Sequence, residues 1–250
     1  MPTVISKFLV TAVILAAAAH QSQAQQDEKD SPASKTKVLA VVLGQEVAAD
    51  EKERLSGLIF GQLLERFAKE NKIEPSEKEL DQFVVRLNEV RRQQSRKWRA
   101  ERAKLRKELQ DASLSDKERR SRKAFLSDLE SILKEEESRP YLTPEQEEQN
   151  RRSQRETARM FVGSWKINQA LFKKYGGRVI FQQAGPEPLD AYHKFLQEHE
   201  QKGSFKILDP EAAKSFWKYF VDENMHTFAS AGSESGLINT PWWQKEPDSE

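Results

Sequence analysis

Residues 37–47 read KVLAVVLGQEV, a short apolar run rich in β-branched side chains that is interrupted at Gly44. A run of this kind before a glycine predicts a strand that leads into a turn. From Asp50 to Asn71 the apolar side chains recur every four residues, which predicts an amphipathic helix after the strand. The stripe of this helix consists of Leu55, Ile59, Leu63 and Phe67, widened by Leu58, Phe60 and Leu64.

Capping signals mark where the later helices begin and end. In the pattern Ser-x-x-Glu, each side chain bonds a backbone N–H group of the other residue, so the pattern predicts a helix start. Proline at the first helical position and glycine after the last one are further signals. The predicted starts are Ser76 with Glu79, Ser115 with Glu118, Thr143-Pro144 with Gln146, Pro186-Glu187-Pro188 and Asp209-Pro210, and the predicted stops are Pro140 and Gly176-Gly177.

Composition limits the classes of protein to which the chain can belong. Its 250 residues include 41 Lys and Arg against 40 Asp and Glu, so a net charge of +1 conceals a charged fraction of 32%. Only ten Gly and ten Pro are present, which favours helices over an all-β fold. The chain has no Cys. These values exclude a disulfide scaffold, a multi-span membrane protein and a cysteine enzyme.

Apolar residues are concentrated toward the two ends of the chain. The apolar segments are about residues 38–90 and 158–228, and a charged helical middle of about 91–157 lies between them. We expect the two apolar segments to pack together. The sequence therefore predicts a mainly α fold, in which residues 38–228 form one helical module with long charged helices and a small two-stranded β ribbon.

The second strand of that ribbon is predicted at Arg178–Gln183, RVIFQQ. We expect it to pair with Val38–Leu43, because a lone strand leaves its backbone groups without hydrogen bonds. After Ala229 the chain becomes rich in Gly, Ser and Pro, although it still carries Trp242-Trp243. This composition predicts a mobile tail over residues 229–250.

The N-terminal residues have the pattern of an export signal. Lys7 precedes an apolar run of twelve residues, and Ser22-Gln23-Ala24 places small residues where a signal peptidase cleaves. A membrane-spanning helix needs about 20 apolar residues, so an anchor is the weaker interpretation. We expect residues 1–24 to be a signal peptide and 25–37 a flexible leader. The expected location is the bacterial periplasm, with secretion as the alternative.

The sequence contains no recognisable catalytic or metal-binding motif. His193 and His199 are six residues apart, whereas helical metal ligands are three or four apart, so both are interpreted as surface histidines. His226 has no partner close in sequence. Phosphate-binding loops and nucleophile elbows are absent from the sequence. We therefore predict no catalytic residue, no cofactor and no metal.

Arg91–Lys107 is a basic run, in which nine Lys or Arg accompany only Glu101 as an acidic residue. One interpretation is contact with an anionic lipid or with lipopolysaccharide; nucleic acid is not expected outside the cytoplasm. The favoured alternative is pairing with the acidic stretch Glu135–Glu148, which gives two solvated helices held together by opposite charge.

Aromatic residues cluster in the C-terminal half of the chain. Side chains at helical spacing usually form the core, but part of such a cluster can instead line an open groove that holds an extended chain. The members are Phe161, Trp165, Phe172, Phe216, Trp217 and Phe220.

Several of these segments resemble the N-terminal domain of the SurA and PrsA type of exported folding factors. In that family a short strand and a turn lead to a helix and then to a capped segment. The residues that carry the resemblance are Val38–Glu46, Leu58-Ile59 with Leu63-Leu64, Lys72–Ser76 and Glu79-Leu80-Asp81, with Met160–Tyr175 as the equivalent of a later helix. They cover about half of the chain after the signal.

The resemblance implies a chaperone that binds unfolded or extended polypeptides. The family's parvulin isomerase domain, with its catalytic histidine and Gly-Gly-Leu-Gly turn, has no counterpart here, so a diverged prolyl isomerase is the weaker hypothesis. The other alternative is a structural or adaptor protein of the cell envelope that acts through its charged helices, by self-association or surface contact. The predicted walls of the peptide groove are Leu58, Leu63, Phe67, Trp165, Phe172, Phe216 and Trp217.

Overall fold

The computed structural model describes residues 37–48, 54–138, 143–182 and 185–245. The predicted signal peptide and nearly all of the predicted leader lie outside these residues, as does the predicted helix stop at Pro140. Within them, the prediction of a mainly α fold with a small β ribbon is confirmed.

Seven α-helices and five short strands make up the described part of the chain. The helices are α1 (Leu55–Glu70), α2 (Glu77–Glu108), α3 (Asp116–Glu137), α4 (Pro144–Tyr175), α5 (Leu189–Gln201), α6 (Pro210–Val221) and α7 (Glu234–Asn239). The strands are β1 (Val38–Val42), β2 (Gln45–Ala48), β3 (Ile180–Gln182), β4 (Gly185–Glu187) and β5 (Phe205–Ile207). Single 3-10 turns cover Glu223–Met225 and Trp242–Gln244.

The helix starts predicted from capping patterns are confirmed at α2, α3, α4 and α6. At α2 and α3 both halves of the capping box form, with Ser76 and Ser115 as the N-cap residues. Thr143 and Gln146 exchange the equivalent bonds at the start of α4, and the carboxylate of Asp209 accepts from the N–H of Ala212 at α6. Helix α4 ends before Gly176, whose φ of 60° is in the left-handed region that glycine adopts without strain.

The described chain divides into two compact units, whereas the sequence predicted one module. The helical unit consists of residues 76–158, and the mixed unit consists of the residues before 76 and after 158. The helical unit is therefore an insertion in the sequence of the mixed unit. It begins earlier than the predicted charged middle, because it includes the whole of α2 with the buried Leu80, Phe83 and Leu87 of its first half.

A three-stranded antiparallel sheet in the mixed unit has the strand order β2-β1-β5. The run that predicted one strand is a hairpin, because the chain turns at Leu43 and Gly44, both of which have positive φ. The other neighbour of β1 is β5, with Ala40 opposite Ile207 and Val42 opposite Phe205.

The predicted pairing of Val38–Leu43 with Arg178–Gln183 is wrong. Strand β3 instead forms a separate ribbon with β4, in which Ile180 lies opposite Glu187. On its other side Ile180 bridges Phe228, and the N–H of Phe181 donates to the carbonyl of Thr227 at 3.2 Å. Both edges of β3 thus form backbone hydrogen bonds with segments close in sequence or space, so its backbone groups are paired without β1.

The core of the mixed unit is one cluster that joins β1, α1, α5, β5 and α6. Its aromatic members meet edge to face, as Phe67 and Phe195 do with ring centroids 5.5 Å apart. The fully buried members include Ile59, Leu63, Leu171, Ile180, Phe195 and Leu196.

In the helical unit, α2 and α3 form an antiparallel hairpin. Leu105, Leu129 and Leu133 are buried along it. Most ion pairs between the two helices join basic residues of α2 to acidic residues of α3, and those to Glu136 and Glu137 fall within the acidic stretch of the favoured interpretation. These pairs are Arg99 with Glu136 and Glu137, Arg102 with Glu137, and Arg106 with Glu130.

The predicted mobile tail is folded over residues 229–245. The indole N–H of Trp165 on α4 donates to the carbonyl of Ile238 at 2.7 Å. Its ring meets that of Trp243 edge to face, with centroids 5.6 Å apart. Ile238 is completely buried and Trp243 is 8% exposed. The buried side chains of Ile238 and Trp243 thus hold the tail in a fixed position, although its Gly, Ser and Pro content predicts mobility.

Because Trp243 is buried, we expect Trp243→Ala to lower the free energy of unfolding by about 3 kcal/mol, the usual cost of removing a large core side chain. The measurement is urea unfolding followed by circular dichroism. Met160→Ala is the matched control, since Met160 is 64% exposed and a surface change costs less than about 0.5 kcal/mol. Equal effects of the two substitutions would show that the tail does not stabilise the fold.

Candidate functional site

The seven predicted groove residues do not form an open groove. Leu63 is fully buried, and Phe67 and Phe216 are 8% and 2% exposed, because all three face the core cluster. These three side chains therefore offer almost no surface to a peptide. Leu58, Trp165, Phe172 and Trp217 remain partly exposed. Of these four, Trp165 is engaged by the folded tail, and Leu58 and Trp217 pack against the edge of the core.

An exposed apolar surface begins at Trp217 on α6. Val221 lies one helical turn farther on the same face and is 56% exposed. Met225 follows four residues later, in the 3-10 turn, and is 53% exposed. We call these three residues the α6 strip. Trp217 is the one residue of the strip that belongs to the predicted groove, and the exposed Val221 and Met225 were not predicted.

Rigid aromatic neighbours hold the indole of Trp217 in place. Its ring lies 5.0 Å from Phe216, 6.1 Å from Phe220 and 6.3 Å from Phe205, measured between centroids. The imidazole of His193 on α5 contacts it from another side, at 5.6 Å. A partly exposed Trp that is fixed in this way loses little conformational entropy when a ligand covers it.

The two histidines of α5 serve packing and are half-buried, not surface residues as predicted. His193 packs against Trp217 and stacks on Phe220, and burial lowers its pKa. His199 contacts Phe195 and places Nδ1 3.1 Å from the hydroxyl of Ser204, and burial again lowers its pKa. The described residues contain no group of three His, Asp or Glu side chains arranged to hold a metal ion.

A polar cluster joins the β3–β4 ribbon to α6. Glu187, His226 and Gln182 come from the ribbon and the segment beside it, and Tyr219 comes from α6. His226 Nε2 lies 2.6 Å from the carbonyl of Tyr219, so this nitrogen donates, while Nδ1 is buried without a hydrogen-bond partner in the described chain. Gln182 donates to the Tyr219 hydroxyl at 3.2 Å.

Electrostatics in this cluster are set mainly by burial. Burial raises the pKa of Glu187, and the nearby charge of His226 partly opposes that rise. The carboxylate has no hydrogen bond or ion pair among the described residues. Burial also raises the pKa of Tyr219, and the charge of Glu187 adds to the effect. The cluster therefore holds a carboxyl group that folding favours in its neutral form.

No pattern in the sequence predicts this cluster. Glu187 and His226 are 39 positions apart in the sequence. Glu187 pairs with Ile180 on one side of β3, and Phe228, two residues after His226, bridges Ile180 on the other side. Trp217 could be predicted as a site residue, because its spacing within an aromatic stripe is visible along the chain. The same spacing does not distinguish Trp217, at the edge of the core, from Phe216, which is inside it.

Comparison of the chain with protein-family models, with curated proteins and with solved structures yields no match. In the described part of the chain, no helix is both long and apolar enough to cross a membrane.

The position of Glu187 predicts a pH-dependent effect of Glu187→Gln. Because the folded-state pKa lies above the unfolded value, the folded protein binds more protons between the two values, and stability falls as pH rises through this interval. The neutral amide removes that penalty. We expect Glu187→Gln to raise the thermal unfolding midpoint at pH 7.5, with the gain vanishing near pH 3.5, where Glu187 is protonated in both states.

The matched control is Glu46→Gln, at an exposed position of strand β2, for which we expect the same midpoint as wild type at pH 7.5. Thermal scans by circular dichroism at both pH values give the comparison. An unchanged or lower midpoint for Glu187→Gln at pH 7.5 would contradict the assignment of a destabilising buried carboxylate.

Proposed function

We propose that this chain is an exported, non-catalytic protein that binds unfolded or extended polypeptides through the α6 strip. The observation that carries the proposal is a partly exposed Trp217, held in place by neighbouring aromatic rings, next to the exposed Val221 and Met225. Monomeric soluble proteins rarely leave large apolar side chains together in water unless the surface binds something. Trp is also among the residues that most often dominate binding energy at an interface.

An extended polypeptide suits this surface better than a small molecule does. Trp217 and Val221 form a short apolar row along α6 that Met225 follows in the 3-10 turn, and the exposed Lys214 and Lys218 on α6 provide a polar border. A chain laid along such a row buries apolar side chains while its backbone stays in water. This arrangement favours binding with little dependence on sequence, as a holding function requires.

The resemblance to the SurA and PrsA type of folding factors supports the proposal independently of the strip. That resemblance implies that a segment from much later in the chain closes the first strand. Here β5 pairs with β1 in that way, although the segment is not the one expected. Export is part of the proposal because of the residues near the N-terminus, which lie outside the described structure.

The test is suppression of aggregation of a chemically denatured client protein, together with binding of a fluorescent unstructured peptide. We expect wild type to be active in both assays. Val221→Asp with Met225→Asp should weaken peptide binding about tenfold or more, as substitutions at the centre of an interface do. Both side chains are exposed, so the fold should tolerate the change.

Met160→Asp is the control, because Met160 is an exposed apolar residue of the mixed unit outside the strip. It should leave both activities at the wild-type level. A wild-type protein that neither binds the peptide nor suppresses aggregation would contradict the proposed function. Equal losses in the strip variant and the control would contradict the assignment to the α6 strip.

A second candidate function is that of an envelope adaptor that contacts an anionic surface through α2. The observation in its favour is that Arg92, Arg96 and Lys107 are exposed and make no ion pair within the described residues. Cations on one solvated helix attract lipid phosphate or lipopolysaccharide with a strength that falls as salt increases.

For this candidate we expect co-sedimentation with vesicles that contain phosphatidylglycerol and none with vesicles of phosphatidylcholine alone. Replacing Arg91, Arg92, Arg96 and Lys97 by Glu should abolish co-sedimentation and leave peptide binding intact. Replacing Lys214 and Lys218 of α6 by Glu is the control for reversing basic charges outside α2. No vesicle binding at low salt, or equal loss in both variants, would reject the adaptor.

A further inference from the structure

Helix α3 presents two large apolar side chains to solvent. Phe125 is 49% exposed and Ile132 is 41% exposed. They are seven positions apart, two helical turns, and so lie on the same side of α3. Asp128, between the two, and Glu135, beyond Ile132, continue this side at three- and four-residue spacing. We call Phe125, Asp128, Ile132 and Glu135 the α3 face.

The charged members of the α3 face are both acidic, and neither is neutralised within the chain. Asp128 and Glu135 are exposed and make no ion pair among the described residues. Arg122 is the one basic residue at three- or four-residue spacing from the apolar pair, since it lies three positions before Phe125. Its guanidinium is paired with Glu108 of α2 at 3.0 Å. The charges that the face leaves free are therefore carboxylates.

Helix α2 adds two more carboxylates beside this face. Arg106 of α2 pairs at 2.6 Å with Glu130, which helical spacing places on the opposite edge of α3 from the α3 face. Glu101 and Glu108 lie on the other edge of α2 by the same spacing, and so on the side of the hairpin that carries the α3 face. Lys104 lies 3.6 Å from the first carboxylate and 3.9 Å from the second, so one cation serves both.

The spacing of the residues favours a helix as the partner. The members of the α3 face follow one another at steps of three, four and three residues, which is the spacing at which one helix packs along another. Next to the face, Ala124 and Ser131 are small and exposed. A second helix can therefore come close to α3 without displacing large side chains.

We propose that the α3 face binds a basic amphipathic helix of another protein. The apolar residues of that helix contact Phe125 and Ile132, and its lysines or arginines lie opposite Asp128 and Glu135. Complementary charges across an interface speed association and discriminate against partners of like charge. The carboxylates of the face thus select a basic helix, while the two apolar side chains provide the contact area.

A second copy of this chain and an unfolded client both suit the face less well. Two copies of the α3 face would bring carboxylates together, and like charges weaken binding. An extended client presents its side chains with a period of two residues, which does not match steps of three and four. The α3 face is in the helical unit and the α6 strip is in the mixed unit. The inference therefore goes beyond the proposed function and does not depend on it.

The experiment is fluorescence anisotropy of two labelled synthetic peptides with the purified full chain at low salt. Each peptide is three heptads long, about 21 residues, with Leu at every a position. The first peptide has Lys at the d, e and g positions, and the second has Glu there. We expect the Lys peptide to bind at least about tenfold more tightly than the Glu peptide. This advantage should shrink as salt increases.

Two double variants locate the binding surface. Phe125→Ser with Ile132→Ser should raise the dissociation constant of the Lys peptide about tenfold or more, as the loss of central apolar contacts does. Asp128→Asn with Glu135→Gln keeps the shapes of the side chains and removes their charges. This change should raise the dissociation constant several-fold and reduce its salt dependence. Circular dichroism checks that each variant keeps its helix content, as substitutions at exposed positions usually do.

The charge-matched control is Glu147→Gln with Glu156→Gln on α4. Both residues are exposed, belong to the helical unit and make no ion pair among the described residues. The control should leave the dissociation constant of the Lys peptide unchanged. Absence of Lys-peptide binding at low salt, equal binding of the two peptides, or equal losses in the face variants and the control would each overturn the proposal.

The same variants test the other occupants of the face. A dimer in sedimentation velocity that Phe125→Ser with Ile132→Ser abolishes would assign the face to a second copy and overturn the proposal. These two changes should also leave binding of the unstructured peptide at the wild-type level, and a loss there would assign the face to clients instead. Failure of Lys-peptide binding with normal binding of the unstructured peptide would overturn this inference and leave the proposed function intact.

Discussion

The mixed unit depends on the need of β1 for hydrogen-bonding partners on both sides. Val38–Val42 is a buried, apolar strand, and the β2 hairpin satisfies only one of its edges. The other edge is satisfied by β5, which arrives 167 residues later at the pair Ala40 and Ile207. A buried strand with an unpaired edge would cost several hydrogen bonds, so α1, α5 and α6 are arranged around this closure.

Local features of the fold could be predicted from sequence. Four-residue apolar spacing located α1, and capping patterns located the starts of α2, α3, α4 and α6, because these signals lie within a few residues of the atoms they bond. Strand pairing could not be predicted in the same way, since RVIFQQ and the true partner of β1 are both short and apolar. The deciding fact is tertiary: Gly185–Glu187 and Phe228 occupy both edges of β3, which leaves β1 for β5.

The candidate site was only partly visible in the sequence for a related reason. Hydrophobic spacing identifies which side chains avoid water, but not which of two adjacent aromatic residues lies at the rim of the core. Phe216 is almost fully buried, whereas the next residue, Trp217, keeps part of its indole in solvent. The same limit applies to the C-terminal tail, where Trp243 and Ile238 determine the structure despite the turn-rich composition around them.

The position of the helical unit within the sequence has a consequence for the order of folding. Its residues, 76–158, are contiguous, so its internal contacts close shorter stretches of chain than the pairing of Ala40 with Ile207 does. The mixed unit cannot complete its sheet until residues 205–207 are available. If the insertion orders before the sheet closes, the flexible part of the loop between β1 and β5 is shorter, and the closure then costs less conformational entropy.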